Sequence, residues 1–548
     1  MKKILFPLLL SVIITMSGCA PKQNTPDQAE VPEFIKNSKS PVLIIDSNVG
    51  IGRFTSGFAG DFSDADKVIN NLTSAAINGA VVYSILSRET DPEEGNKIVL
   101  EECKKHPELI PSYVIAPFQT NMDSAIEIME RNNIKIARLF PISGRFSVYP
   151  SVIGPVVEKL QNANKVLFID FEPAHWSSTN VDYDGIYQLC KEFPDIPVVL
   201  IGSTITGAVN YPNLMAKCNN LYLEISEIIQ PEGMNELIRN GYGSRIIFGS
   251  AFPFLDPAPL LNMLSYSSLS EEEIYNICSG NLIKLLNINY SNKGFSLGKP
   301  MERDIIDMHT HLGYAYPSPA GTETAEGIVR NMDRCGVTAA VVTSVWGCAG
   351  DVVRGNKAVA EACAKYPDRL FGYITLDPKY PEEVQSELAL YGNNPSFRGI
   401  KCHANHGVDL MDERYAPIFS FADKKGWFLL CHLGKSPERW EKICNTYKNA
   451  KFIVAHSGAQ DPLNPSILAL AEVATRCENI YFDVASSIMT PGALERLKNA
   501  AGADHITYGS DFPMFDFAYE TGRIITSSME EEEKELILAG NAKKLLGL

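Results

Sequence analysis

The run Asp307-Met308-His309-Thr310-His311 puts two imidazoles two residues apart at the end of a β-rich stretch. Side chains alternate along a strand, so His309 and His311 face the same way and together can hold one divalent ion. Such a pair also arises in ordinary packing, so the case rests on what other strand ends supply. Three later apolar runs close on polar residues: Leu429-Leu430-Cys431-His432, Ile453-Val454-Ala455-His456 and Thr507-Tyr508-Gly509-Ser510-Asp511. An imidazole or carboxylate buried there without a partner is costly. One metal ion satisfies all of them together; the alternative is a set of separately satisfied core residues on four strands.

The chain has nine histidines. His309, His311, His403, His406, His432 and His456 all fall at or just beyond strand ends in the second half, whereas His505 precedes its strand and reads as structural.

The elements that must position these residues are β-rich runs alternating with amphipathic helical stretches. The runs are Ala339 to Thr343, Leu370 to Thr375, Gly399 to His403, Phe428 to His432, Phe452 to His456, Ile480 to Val484 and Ile506 to Gly509. Strands buried on both faces and followed by helices imply a parallel sheet, and about eight such units in about 250 residues is the size of a (β/α)₈ barrel, with its active site at the C-terminal strand ends. A doubly wound open sheet is the structural alternative.

The same pattern occurs twice, at a period of roughly 260 residues. Gly95-Asn96-Lys97 answers Gly355-Asn356-Lys357, Asn220 to Glu224 answers Asn479 to Asp483, Phe248 to Pro253 answers Tyr508 to Pro513, and Ser279-Gly280-Asn281 answers Ala539-Gly540-Asn541. A chain of 548 residues is too long for one core, so two tandem (β/α)₈ TIM-like barrels are expected, over 42–290 and 304–548, joined by a linker at 291–303 with Gly294, Gly298 and Pro300. The matching positions of the first copy carry Asn48 and Gly50 for the histidine pair, Phe171 for His432, Gly202 for His456 and Ala251 for Asp511. That half has lost the metal set; its His106 and His175 fall elsewhere and read as surface or packing residues.

Lys2 and Lys3 precede an apolar run from Ile4 to Met16 that ends in Ser17-Gly18-Cys19. This reads as a signal peptide over 1–18. It resembles a bacterial lipobox, with Met16 a less usual first residue, and implies acylation at Cys19, a tether over 19–41 and a membrane-anchored protein of the cell envelope. A plain secretory signal is the other reading, since the run is shorter than the roughly 20 residues a spanning helix needs. The net charge of -16 and the lack of a basic cluster argue against nucleic acid as a partner. Eleven cysteines besides Cys19, with no CxxC pair, argue against a disulfide framework and read mostly as buried thiols.

Taken in order, the motifs DMHTH, GIKCH, FLLCHLG, IVAHSG and YGSDFP resemble the amidohydrolase superfamily, and within it the amidohydrolase-2 group of decarboxylases, hydratases and lactone hydrolases. The resemblance covers nearly all of residues 304–548. It implies that His309, His311, His432 and Asp511 ligate one metal, usually zinc, and that His456 is the acid/base residue beside the bound water, with Asp511 also able to relay a proton. Binuclear members of the superfamily carry a carboxylated lysine on the fourth strand, so Lys401, with His403 on the same face, leaves a second ion open; one ion is the favoured reading. Lys401 otherwise pairs with a substrate carboxylate or is structural. His403 and His406 bind substrate or line the mouth, and Tyr314, Tyr316 and Trp346 shape a pocket or pack the loops.

These residues point to a small-molecule substrate and to hydrolysis of a C–N or C–O bond, with non-oxidative decarboxylation on the same site as the second reading. From another class, the chain is a ligand-binding surface lipoprotein without turnover. The first barrel is expected to serve as scaffold, with the two copies pairing within one chain and homo-oligomers possible.

Overall fold

The β-branched and aromatic residues that dominate the expected strands are buried along almost their whole length, as a sheet covered on both faces requires. The computed structural model describes residues 43–53, 62–172, 181–202, 210–287, 303–314, 321–458, 465–486 and 490–548. The signal segment, Cys19, the tether, His175, Tyr316 and all but the last residue of the expected linker lie outside the described residues.

Two eight-stranded parallel sheets run in sequence order. The first consists of β1 (Ile45–Ile51), β2 (Gly79–Ser84), β3 (Leu109–Val114), β4 (Ile136–Leu139), β5 (Val166–Asp170), β6 (Val198–Ile201), β7 (Leu221–Glu224) and β8 (Ile246–Ile247). The second consists of β9 (Ile306–Leu312), β10 (Ala339–Ser344), β11 (Leu370–Thr375), β12 (Phe397–His403), β13 (Phe428–His432), β14 (Lys451–Val454), β15 (Ile480–Asp483) and β16 (Ile506–Thr507). Parallel bridges from Val49 to Phe252 and from Thr310 to Phe512 bring the last segment of each sheet back to its first strand. The fold is two tandem (β/α)₈ barrels, and the sequential strand order excludes the doubly wound alternative.

By contact, the chain forms two compact units, the second of which includes the short segments Ile229–Glu232 and Leu261–Tyr266 along with Pro300–Leu548. Inside the first barrel Ile45, Val81, Ile136, Phe168, Val199 and Ile247 pack together. Inside the second, Met308, Val341, Tyr373, Leu430, Ile453 and Tyr481 do the same. Fully burying such side chains contributes about 1.5–3 kcal/mol each.

The repeated motifs prove to be fasteners. Asn96 exchanges two bonds with the backbone of Val114 (2.9 and 2.8 Å), and Asn356 does the same with Thr375 (2.9 and 2.8 Å), so each clamps the end of a third strand. Gly95 and Gly355 are needed beside them, since a Cβ at Gly355 would lie 2.8 Å from the Gly347 nitrogen. Asn281 and Asn541 each donate to two carbonyls, one just ahead of the eighth strand and one at its first residue, at 2.7–2.8 Å. Buried amides satisfied this way hold loops that apolar packing alone leaves free. Among the described residues, no helix is long and apolar enough to cross a membrane.

Candidate metal centre

The centre sits at the C-terminal ends of the second barrel's strands. His309 and His311 project from β9 toward the same side, with ring centroids 5.1 Å apart. His309 is pinned at both nitrogens: Nδ1 lies 3.1 Å from Asp483 Oδ2 and Nε2 lies 2.9 Å from Lys401 Nζ. A carboxylate partner fixes the proton on Nδ1 and leaves Nε2 with its lone pair facing the centre. Gly509 allows this closeness, because a Cβ there would stand 2.9 Å from that of His309.

Asp511 follows β16 with a left-handed backbone, φ 61°. Its nitrogen donates to the His309 carbonyl at 2.8 Å, and its Oδ1 lies 2.9 Å from His311 Nε2 and 3.6 Å from His309 Nε2. His456, expected to close a strand, instead lies in a left-handed turn after β14 with φ 54°. Its backbone N–H donates to Asp483 Oδ1 at 2.9 Å. Its Nδ1 donates to the Ala485 carbonyl at 2.8 Å, with Ser486 Oγ at 2.9 Å, which leaves Nε2 as the ring nitrogen without a role in holding the ring. Strain of this kind persists only where the surroundings hold it, as Asp483 and Ala485 do here.

His309, His456 and Asp511 each offer one atom, all within 4.8 Å of one another, and all three are buried. Two imidazoles and a carboxylate in a buried cluster fit a divalent ion. His311 adjoins the group through Asp511. His432, on β13, stands one ring further out, 4.7 Å from His456 between centroids, with Nδ1 3.2 Å from His403 Nε2. His456 therefore belongs to the cluster that the sequence reading built from His309, His311, His432 and Asp511. Lys401, fully buried, points its Nζ into the same space.

The charges are strongly coupled. Burial works against a charged His311, yet the bonds to Asp511 and Cys348 hold it up to about 9. Asp511 is held well below the usual carboxylate range by His311, His309 and His456, in spite of its burial. His309 is driven far down by burial and by Lys401, and His432 is lowered to about 3 by burial, His456 and Lys401. Neutral imidazoles with one lone pair each are the form that ligates a metal.

The remaining candidates separate by surroundings. His403 accepts from the Asn405 backbone at 3.1 Å and orients His432; His406 is buried, with Nε2 3.0 Å from the Gly347 carbonyl. Tyr314 is exposed, and Trp346 packs under the Arg354 guanidinium. His505 bonds the Ile480 carbonyl at 2.6 Å, away from the centre. Asp483 and Ser486 were not singled out from the sequence. Asp483 had a readable signal, since both copies keep a carboxylate at that strand end, Glu224 and Asp483.

The first barrel keeps the frame and changes the contents. Asp46 accepts from the nitrogens of Asn48 and Ser250 as Asp307 accepts from His309 and Ser510. Strand pairing corrects one assignment: β4–β5 and β12–β13 register put Asp170, not Phe171, at the place of His432, because inward residues Val166 and Phe168 match Phe428 and Leu430. The same register puts Arg138 at the place of Lys401. Arg138 Nη1 donates to Asn48 Oδ1 (2.8 Å) and Asp170 Oδ2 (3.0 Å), and Nη2 donates to the Ser47 carbonyl (2.9 Å). Its guanidinium lies 4.6 Å over the Tyr83 ring, and the side chain is wholly buried. A fixed cation fills the centre of that barrel.

Residues 306–548 match the family model described as Amidohydrolase. Solved structures similar to the chain include an uncharacterized TIM-barrel protein from Bordetella bronchiseptica, at 18% identity over 44% of this chain and 98% of that one, TM-score 0.37. The 5-carboxyvanillate decarboxylase from Sphingomonas paucimobilis matches at 15% identity over 45% of this chain and 99% of that one, TM-score 0.36. The 2,6-dihydroxybenzoate decarboxylase from Rhizobium gives 15%, 45%, 99% and 0.36.

Proposed function

We propose, from the match of residues 306–548 to the amidohydrolase family model, that the second barrel is a metal-dependent hydrolase cleaving a C–N or C–O bond in a small molecule. The ion is zinc, one per chain, held by His309, His311, His432 and Asp511. The observation that supports this reading is the buried convergence of His309, His456 and Asp511. A divalent ion bound there supplies Lewis-acid polarisation and lowers the pKa of water to about 7.

The chain's own groups do the rest. Asp511, anchored through its own nitrogen, can take a proton at Oδ1, the oxygen that lies 2.9 Å from His311 Nε2. His456 Nε2 can accept that proton and, once protonated, polarise a substrate carbonyl, its ring fixed by Ala485 and Ser486. Asp483 holds His309 and His456 together, from Oδ2 and Oδ1 respectively. Decarboxylation is the second reading, favoured by the same His456 Nε2, which could carry a proton to a substrate carbon.

Elemental analysis of the purified chain, beside His309→Ala/His311→Ala, tests the site: about one equivalent of metal in the parent and none in the variant is expected. A parent that binds no metal when supplied with zinc would overturn it. A substrate panel scored for both hydrolytic products and released CO₂ separates the two reactions. We place the protein in the cell envelope through acylation of Cys19; absence of lipid incorporation at Cys19 would refute that placement.

A further inference from the structure

Both barrels keep a pair of thiols at one and the same place, away from the metal centre. In the first, Cys190 lies in the helix Tyr183–Glu192 and Cys218 in the turn entering β7; in the second, Cys444 lies in the helix Pro437–Thr446 and Cys477 in the turn entering β15. Cys190 and Cys444 stand at equal distance in sequence from Val198 and Phe452, which strand pairing makes equivalent. Within each pair the two thiols lie close enough to shift one another's protonation, and Asn445 Nδ2, next to Cys444, lies 3.9 Å from Cys477 Sγ. All four residues are buried.

The frame that brings each pair together is also duplicated. Asn220 Nδ2 donates to the carbonyls of Phe193 and Ile196 (3.0 Å each), and Asn479 Nδ2 donates to those of Tyr447 (2.9 Å), Ala450 (3.0 Å) and Cys444 itself (3.2 Å). The loop after each cysteine-bearing helix is thus tied to the strand entry that carries the second cysteine. The metal ligands diverged between the copies and this arrangement did not. Another contacting pair, Cys402 and Cys431, lies on adjacent strands, and the first barrel has Leu139 and Ile169 there, so that contact occurs in one copy only.

We propose that Cys190–Cys218 and Cys444–Cys477 are intrachain disulfide sites, each closing by exchange with a low-molecular-weight disulfide such as glutathione disulfide. One cysteine thiolate attacks a glutathione sulfur, forming a mixed disulfide and expelling a glutathione thiolate. The second cysteine, after losing its proton, attacks the protein sulfur and expels the other glutathione. Two electrons pass to glutathione and each pair loses two protons. Cys218 attacks first in its pair, because Lys191, Arg245 and Lys217 surround it and Arg245 Nη1 donates to its carbonyl at 2.7 Å, cations that favour its thiolate. Burial and Glu441 raise the Cys477 thiol, so the second pair closes more slowly.

Closure fastens the entry of the seventh strand of each barrel to the helix between its fifth and sixth strands. In the second barrel that strand ends in Asp483, which orients His309 and His456. Neither the odd cysteine count nor the absence of CxxC shows this, because each pair meets only after about 30 intervening residues have folded.

The test takes the full chain, both native and refolded from denaturant, into a glutathione/glutathione disulfide buffer, followed by alkylation, digestion without reductant and mass mapping. The expected result is two cross-linked peptides, Cys190–Cys218 appearing before Cys444–Cys477, with Cys402 and Cys431 still alkylated. Failure of either link to form under both regimes, glutathionylation without closure, or pairing with other cysteines would overturn the proposal.

Discussion

Arg138 stands in the first barrel where Lys401 stands in the second: each lies on the fourth strand, paired across to the matching inward residues Phe168 and Leu430. Both are wholly buried, and both reach the residue at the first-strand histidine position, Asn48 at 2.8 Å and His309 at 2.9 Å. Around this shared cation the copies part. Asp170 pairs with Arg138 in one, while histidines surround Lys401 in the other.

Replacing Arg138 with Met leaves Asp170, itself buried, without its counter-charge. Removing one partner of a buried pair costs about 3–5 kcal/mol. Calorimetry of the full chain should show a transition moved to lower temperature, with metal content per chain unchanged. A melting curve like the parent's would show that the pair does not hold that barrel.

The first barrel also supplies a pH dependence free of any metal. Burial raises Asp46 from 3.8 to about 6, against the hydrogen bonds and Arg138 that lower it. The folded state therefore holds this proton more tightly than the unfolded chain, and stability falls as pH rises from about 4 through about 6, by on the order of 3 kcal/mol. Asn in place of Asp46 keeps an oxygen for the Asn48 and Ser250 nitrogens. Urea midpoints of Asp46→Asn should match the parent near pH 4 and exceed it above pH 6; equal midpoints at both would remove the assigned penalty.

The barrels were legible because period and burial speak together: strands buried on both faces appear as apolar runs, and the repeat doubles the signal. The end residues were harder. Ile453 to His456 looks like one strand, yet the strand ends at Val454 and the chain turns left-handed at His456, whose nitrogen bonds Asp483. Asp170 was passed over for Phe171 because sequence matching cannot see register, which only the pairing of β4 with β5 settles. Arg138 was unreadable for a related reason: a guanidinium in a strand looks like an edge residue until Asn48 and Asp170 are seen around it.

His456→Asn tests the role of an imidazole whose backbone is already held by Asp483 and whose Nε2 faces the centre. Loss of a positioned acid/base lowers turnover roughly 100- to 10,000-fold. Metal content should stay near the parent's if His456 handles protons. If the metal is lost as well, His456 is a ligand, and its place within the 4.8 Å cluster is then the reason.

Asp483 is wholly buried and anchors His309 Nδ1 and the backbone nitrogens of His456 and Ala485. Substituting Asn removes the charge that fixes the His309 tautomer while keeping the shape. Metal affinity, measured by competition with a chelating dye, should weaken about 10- to 100-fold. Unchanged affinity would place the control of His309 with its other contacts, Lys401 and Asp511.

The relation between Arg138 and Lys401 also predicts an exchange. Lys401→Arg alone sets a guanidinium against His309 and His432, with no carboxylate at the His432 position to meet it. Adding His309→Asn and His432→Asp rebuilds the partners that hold Arg138, namely Asn48 at 2.8 Å and Asp170 at 3.0 Å. The triple variant should bind no metal and turn over no substrate, yet melt higher in chelator than Lys401→Arg by itself, since the buried charge regains its pair. Thermal midpoints with and without chelator read both effects at once: the parent's midpoint falls when metal is removed, and the triple variant's does not. If the triple variant still gains stability from added zinc, the guanidinium and the ion do not share one position, and the first barrel lost its metal by another route.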